Sequence, residues 1–210
     1  MKGVAMHVSN EALAYWFFRL NGFLTTVNFV VHSARRGETG TDADILGIRL
    51  PYRSELIERP MKDHPAFTGI KGSPYLLVAE VKTSRCALNG PWTDPGRHNV
   101  DRVLNAIGIL PPEDIDDAAR DLYEHGVHKS NRAYVSLACV GLSPSEEINH
   151  RYPGVPQFTR NEILSFTFRR FRDYRSVKSW HQTWDEAGQA LWDAFVASQD
   201  EVTYISALNH

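Results

Sequence analysis

The feature that most constrains this chain is a continuously apolar run, residues 75–79, which ends in Glu80, Val81 and Lys82. An unbroken apolar run of this kind predicts a strand that is covered on both faces. Because successive strand residues point to opposite faces, Glu80 and Lys82 are expected to project together. Burying an ionised group is costly unless it is paired, so this strand end is predicted to face a covering helix or a cleft.

The hydrophobic pattern on either side of this strand predicts a mixed α/β layout. A helix is expected to begin after Ser9, a residue suited to N-capping, and to stop at Asn21 and Gly22. Helices over 99–107 and 113–124 provide a connection long enough for parallel pairing of the last two strands. The predicted strands cover residues 24–31, 43–50, 75–81 and 133–140.

This order predicts a four-stranded mixed sheet flanked by helices, within a core of residues 1–145. A polar segment with four prolines, residues 51–74, interrupts the core as an insertion. Residues 146–210 are predicted to form a helical extension packed on the core. Thr159 and Glu162 fit a capping box at the start of one of its helices.

Charge and cysteine content limit the class of protein. The formal net charge of −2 over 210 residues excludes a globally basic nucleic-acid binder but not a local basic surface. Cys86 and Cys139 give neither a disulfide framework nor a zinc-binding spacing, which suits a reducing cytosol. The N-terminus lacks the apolar core of a signal peptide, and no apolar run approaches the ~20 residues that span a bilayer. We therefore expect a cytoplasmic protein with no membrane association.

A second carboxylate is expected at the entrance of the neighbouring strand. Asp44 precedes an apolar pair there, and Asp42 shares its face, which leaves open which of the two points inward. An aspartate in this position is commonly a turn or capping residue. If it meets Glu80, however, the two carboxylates suit Mg²⁺, a hard ion that prefers oxygen ligands. The alternative is that Glu80 and Lys82 form an ion pair on an exposed sheet.

The order Asp44, then Glu80-x-Lys82, with apolar residues before each, resembles the PD-(D/E)XK nuclease superfamily of restriction-endonuclease-like proteins. The resemblance extends over about residues 9–140, and it implies a core of a helix, three antiparallel strands, a helix and a fourth strand. It also implies that Asp44 and Glu80 bind the metal, while Lys82 assists catalysis. The first acidic motif departs from the family pattern, since it lacks the Pro-Asp pair.

Two further roles follow from this resemblance. Val81 would lend its main-chain carbonyl to the metal, and Glu11, on the first helix, would add a supporting carboxylate to the catalytic set. The other interpretation of Glu11 is that the helix dipole favours an acidic residue in a first turn regardless of function.

Residues that follow the charged strand are candidates for contact with a nucleic acid. The hydroxyl and amide side chains of Thr83, Ser84 and Asn89 are suited to phosphate contacts. Trp92 either stacks on a base or fills the core behind this loop.

The main basic concentration, residues 169–178, offers a second candidate surface. Arg169, Arg172 and Lys178 belong to ridges with interleaved aromatic residues, which suits a phosphate backbone. A charge run of this kind is equally compatible with a solvated helix face.

Together these features predict a Mg²⁺-dependent nuclease that hydrolyses phosphodiester bonds, with Mn²⁺ expected to substitute. DNA is favoured over RNA as the substrate, and a homodimer is possible because cutting both strands usually needs two sites. The alternative function is a catalytically inactive module that binds a nucleic acid or a partner on the same fold. A third possibility is an unrelated α/β protein in which Glu80 and Lys82 merely pair.

Overall fold

A computed structural model describes residues 8–32, 41–56, 58–180 and 184–209. Residues 33–40, which the polar sequence between the first two strands predicts to be a turn, lie outside the described residues. The first helix, α1, spans Asn10–Leu20. It begins at Ser9, whose hydroxyl accepts a hydrogen bond from the Ala12 N–H, and it ends before Gly22, which adopts a positive φ of 79°. Both ends of α1 therefore lie where the capping residues predict.

Three antiparallel strands follow α1. They are β1 (Leu24–Val31), β2 (Thr41–Arg49) and β3 (Tyr75–Val81). The polar insertion between β2 and β3 carries a one-turn helix, α2 (Pro65–Thr68). Residues 75–80 of β3 are all buried, as expected for a strand covered on both faces.

The connection from β3 back to the sheet is helical. It contains α3 (Gly90–Thr93), a 3-10 turn over Pro95–Arg97, α4 (Asn99–Ile107) and α5 (Pro112–His125). Two strands follow, β4 (Val127–Lys129) and β5 (Tyr134–Gly141). Because this connection is long, β5 lies parallel to β3, with Glu80 beside Cys139, which confirms the predicted parallel pairing.

The last part of the chain is mainly helical and also contributes one strand. Its elements are α6 (Glu146–Arg151), β6 (Gln157–Thr159), α7 (Arg160–Asp173), α8 (Arg175–Lys178), α9 (Glu186–Ala197) and α10 (Glu201–Leu208). Thr159 and Glu162 form the predicted capping box at the start of α7. None of the helices in the described parts of the chain is long and apolar enough to cross a membrane.

The strands form one open sheet with the order β1-β2-β3-β5-β4, and β6 pairs with the other end of β5. The chain is therefore a mixed α/β protein whose sheet is flanked by helices, as predicted. The predicted number of four strands is wrong, since the described residues form a sheet of six. The two additional strands, β4 and β6, have three residues each, which is too short for a period-two pattern to stand out.

Helices cover both faces of the sheet. On one face, α1, α7, α9 and α10 enclose an aromatic-rich core that includes Phe17 and Phe171. On the other face, α4 and α5 pack over a second core that includes Leu76 and Trp92. The segment after residue 145 thus shares its core with α1 and joins the sheet through β6.

Candidate active site

Asp44 and Glu80 lie at adjacent strand ends. Ile45 of β2 pairs with Ala79 of β3, and the next residues along the two strands are Asp44 and Glu80. The Asp44 carboxylate accepts a hydrogen bond from the Val81 N–H at 2.7 Å, so a side chain takes a place that a strand carbonyl would otherwise fill. Asp44 is half-buried whereas Asp42 is exposed, which answers the question of which aspartate points inward.

Glu80 is the centre of a hydrogen-bonded cluster on the face covered by α4 and α5. Only 5% of its surface is exposed. Its Oε2 accepts from the indole N–H of Trp92 at 2.7 Å. Its Oε1 accepts from both Lys82 Nζ and Asn89 Nδ2, and Lys82 Nζ also donates to Asn89 Oδ1 at 2.9 Å. The buried carboxylate is therefore paired with a cation and fully hydrogen-bonded, which is the condition for keeping such a group inside a protein.

Burial raises the pKa of Glu80 above its ordinary value, because desolvation penalises the ionised form. Hydrogen bonds from Lys82 and Trp92 lower this pKa, and the nearby charge of Asp44 raises it. A second carboxylate that disfavours the ionisation of Glu80 makes this a place in which a cation is favoured.

The turn after β3 supplies the neutral donors of this cluster. Asn89 is the N-cap of α3, yet its side chain makes no capping bond and instead contacts Glu80 and Lys82. Pro91 follows in the first turn of α3, where proline is well tolerated. Trp92 is only 2% exposed, so it fills the core and leaves no ring face for a base.

Glu11 and Asp44 both line a cavity of about 410 Å³ between α1 and β2. Asp185, the N-cap of α9, lines the same cavity, whereas Glu80 does not. Within the described parts of the chain, no three His, Cys, Asp or Glu side chains are close enough to form a metal site by themselves. Asp44 thus links two groups of residues, one around Glu11 and one around Glu80.

The three residues after β3 that were predicted to contact phosphate lie in different surroundings. Thr83 is exposed and lines a second cavity of about 440 Å³. Ser84 is exposed, and its carbonyl accepts from the Leu142 N–H at 2.6 Å. Asn89 is exposed, but its side chain already contacts Lys82 and Glu80.

The basic stretch lies away from these strand ends. Arg160 at the start of α7 contacts Asn10 at the start of α1, so the two helices begin side by side. Arg170 is buried at the far end of α7 and donates to the Lys62 carbonyl. Ten residues of helix correspond to about 15 Å, so the basic stretch lies roughly this far along α7 from the start of α1.

Each of the three predicted basic contacts has an acidic neighbour. Arg169 lies 3.7 Å from Glu201, Arg172 lies 3.0 Å from Asp173, and Lys178 lies 3.8 Å from Glu55. Arg169 and Arg172 are half-exposed, whereas burial lowers the pKa of Lys178. These pairs fit the solvated-face interpretation as well as they fit a binding surface.

Two residues near the strand ends, Asn10 and Arg160, belong to no sequence motif. Asn10 Nδ2 donates to the Lys82 carbonyl at 2.8 Å, and its Oδ1 accepts from Arg160. Arg160 is the first residue of α7, where the helix dipole disfavours a cation. That local conflict is the one sequence signal that marks Arg160, and none marks Asn10.

Comparisons with protein-family models, curated proteins and solved structures found no match to this chain.

Proposed function

We propose that this protein is a Mg²⁺-dependent nuclease that hydrolyses phosphodiester bonds, with DNA favoured over RNA. The observation that carries the proposal is the buried Glu80, held by Lys82 and Trp92 at a strand end that also receives the Asp44 carboxylate. A carboxylate buried to this extent beside a second one serves no packing purpose, and perturbed carboxylates of this kind cluster at functional sites.

The order of elements supports a restriction-endonuclease-like core. A helix, three antiparallel strands, a helical connection and a strand parallel to the third occur in the order that this family implies. Asp44 lies on the second of these strands, Glu80 lies near the end of the third, and Lys82 follows directly after it, which supports the resemblance. β4 and β6 extend that core at one edge.

The donor chemistry fits Mg²⁺. Asp44 and Glu80 offer hard oxygen ligands, and the main-chain carbonyl of Val81, the residue after Glu80 in β3, offers a third. Ion binding would relieve the mutual repulsion that contributes to the raised pKa of Glu80. When bound, the ion supplies charge stabilisation at the phosphate oxygens and lowers the pKa of an attacking water.

The side chains around Glu80 and Asp44 would orient the water, stabilise charge and hold the metal ligands in place. Lys82 contributes a positive charge next to the Glu80 carboxylate, where it can orient a nucleophilic water or neutralise charge on the reacting phosphate. Asn89 and Trp92 hold Glu80 in one orientation through their N–H groups. Glu11 lines the cavity beside Asp44 and serves as a supporting carboxylate at its open side.

One observation favours a second candidate function, an inactive module that binds a nucleic acid or a partner. Both oxygens of Glu80 already have side-chain donors, so metal binding must compete with Lys82 for Oε1. Titration with Mn²⁺ in a calorimeter separates the two candidates. Binding that is lost in Asp44→Asn supports the nuclease, and an absence of binding supports the inactive module.

Cleavage assays test the main proposal. Single-stranded, duplex and branched DNA, and RNA, are incubated with the protein and Mg²⁺ or Mn²⁺, and with EDTA as the blank. We expect cleavage that requires the ion and that falls about a hundredfold or more in Asp44→Asn, the size of loss seen when a catalytic electrostatic group is removed.

Asp42→Asn is the matched control, because Asp42 is an exposed aspartate two residues away on the same strand. It should cleave as the parent does. Equal loss in both variants, or no cleavage of any substrate by the parent, would overturn the proposal.

A further inference from the structure

The cavity that Thr83 lines has an unusual set of walls. It measures about 440 Å³ and is lined by two leucines and six polar residues: Ser9, Asn10, Thr83, Arg160, Asn161 and Asn209. None of the described residues that line it is acidic. A polar cavity with an arginine and no carboxylate is suited to an anion.

The Arg160 guanidinium is nine-tenths buried in this cavity wall, with 8% of the residue exposed. It donates to two main-chain carbonyls and to the side-chain oxygens of Asn10 and Asn209. All four acceptors are uncharged, and no carboxylate of the described residues forms an ion pair with it. A buried charge is normally paired with an opposite charge. Arg160 has instead the Leu208 carbonyl and the C-cap Asn209, at the negative end of the α10 dipole, and no carboxylate of the described residues.

The guanidinium also retains capacity for a ligand. It carries five N–H donors, and its four bonds to described residues occupy Nε, one N–H of Nη1 and both N–H groups of Nη2. The second N–H of Nη1 is left for a further acceptor. Burial lowers the pKa of Arg160, which is the expected response of a cation without a counter-ion.

Two helices add to the positive potential. Ser9 is the N-cap of α1, and Asn161 is the second residue of α7, so both helices begin at this cavity. Helix N-termini carry partial positive charge and free N–H groups. α10 ends at the same cavity, but the oxygens of Leu208 and Asn209 at that negative end already bind Arg160, which leaves the N-termini of α1 and α7 to attract an anion.

The cavity adjoins the proposed catalytic strand. Asn10 donates to the Lys82 carbonyl and accepts from Arg160, so two hydrogen bonds join the residue after β3 to the guanidinium. Thr83, the residue after Lys82, lines the cavity itself. Lys82 and Thr83 therefore connect the proposed metal site to this cavity along the chain.

We propose that this cavity, centred on Arg160, binds a phosphate group of the substrate strand next to the one that is cleaved. The assignment rests on the proposed nuclease function for the identity of the ligand. It does not depend on the metal or on cleavage, because every residue involved lies outside the metal site.

Asn161→Asp tests the proposal without removing the buried arginine. Asn161 is exposed and its Oδ1 accepts from Asn209 Nδ2 at 2.9 Å, a bond that an aspartate oxygen can keep. An acidic residue in a first helical turn is favourable, so the variant is expected to fold. The new charge should repel a phosphate in the cavity.

Binding is measured by fluorescence anisotropy with a labelled single-stranded DNA in EDTA, which prevents cleavage. We expect Asn161→Asp to bind about tenfold more weakly, the order expected for like charges a few ångströms apart near a surface. The slope of log affinity against log salt should also shrink by about 0.7, the loss of one phosphate contact. Asn161→Lys should bind more tightly with a steeper slope.

Val202→Asp is the matched control. Val202 is the second residue of α10, as Asn161 is of α7, it is 77% exposed, and it does not line the cavity. It should bind within about twofold of the parent, since six helical residues, about 9 Å, separate it from Leu208 in the cavity wall, and exposed charges about a Debye length apart are largely screened. A DNA with a 5′-phosphate is compared with one that ends in a hydroxyl. Tighter binding of the DNA with a 5′-phosphate would assign the cavity to a terminal phosphate. Equal binding of the two DNAs would assign it to an internal phosphate.

Two results would overturn the inference: no DNA binding by the parent, or equal weakening in Asn161→Asp and Val202→Asp. Failure of the parent to cleave any nucleic acid, with this binding pattern intact, would instead overturn the proposed function alone.

Discussion

The indole N–H of Trp92 donates to Oε2 of Glu80 at 2.7 Å, and both side chains are buried. This bond joins a helix of four residues to the last buried position of β3. It fixes the carboxylate that we propose as a metal ligand and lowers its pKa.

Trp92→Phe removes this donor and keeps an aromatic ring in the core. We expect the pKa of Glu80 to rise further and metal binding to require a higher pH. The free energy of unfolding should fall by about 1–3 kcal/mol, as for the loss of a hydrogen bond to a charged group. Mn²⁺ titrations at several pH values and urea denaturation measure the two effects.

Trp192→Phe serves as the control for Trp92→Phe. Trp192 is buried in the other core, away from Glu80. It should lose stability from the smaller ring while leaving the pH dependence of metal binding unchanged. The same pH shift in both variants would contradict a positioning role for Trp92.

Asp44→Asn should lower the pKa of Glu80 in the metal-free protein. Burial is the largest cause of the raised pKa, so the value should remain above its ordinary range, but the contribution from the Asp44 charge disappears. Carbon-detected NMR titration of the glutamate carboxyls measures the change. An unchanged Glu80 pKa would show that the two carboxylates do not interact.

The raised pKa of Glu80 also has a consequence for stability. Because burial favours the protonated form, the contribution of Glu80 to folding is greatest below its unfolded pKa. That contribution is lost as pH rises through the raised folded value. Metal binding has the opposite dependence, since it requires the ionised form and should strengthen as pH rises over that window.

Gly141 places the loop after β3 against the end of β5. A Cβ at this position would lie 2.7 Å from the Ser84 carbonyl oxygen and 2.8 Å from the Cys86 nitrogen, both main-chain atoms. Gly141→Ala should therefore displace this loop, cost about 1–3 kcal/mol of stability and reduce cleavage. Thermal unfolding and cleavage rates measure both.

Gly69→Ala is the control for Gly141→Ala. Gly69 has a φ of −81°, and a Cβ added there would have no neighbouring atom within 4 Å, so alanine fits without strain. It should leave stability unchanged or raise it by about 0.4–1 kcal/mol. If the Gly141→Ala protein is as stable as the Gly69→Ala protein, the close approach of the Ser84 and Cys86 main chain to position 141 is contradicted.

The elements with strong periodicity or clear caps were predictable from the sequence. β1, β3 and α4 begin and end at the predicted residues, because apolar runs and flanking turn residues define them. β4 and β6 were not predictable, since three residues carry no period and their pairing with β5 is decided by tertiary contact.

The candidate site was predictable only in part. The strand spacing of Glu80 and Lys82 predicts that they share a face, and their contact bears this out. The donors from Asn89 and Trp92, and the link from Asn10 to Arg160, depend on how a turn and two helices fold back on β3. Contacts between residues so far apart in the chain leave no trace in local pattern.

The most direct test of the account is a crystal grown with Mn²⁺ and measured at a wavelength where the ion scatters anomalously. We predict an anomalous peak between Asp44 and Glu80, within ligand distance of both carboxylates, with Lys82 moved from Oε1 of Glu80. No peak at this position, with Lys82 and Asn89 still bound to Glu80 at saturating Mn²⁺, would contradict it.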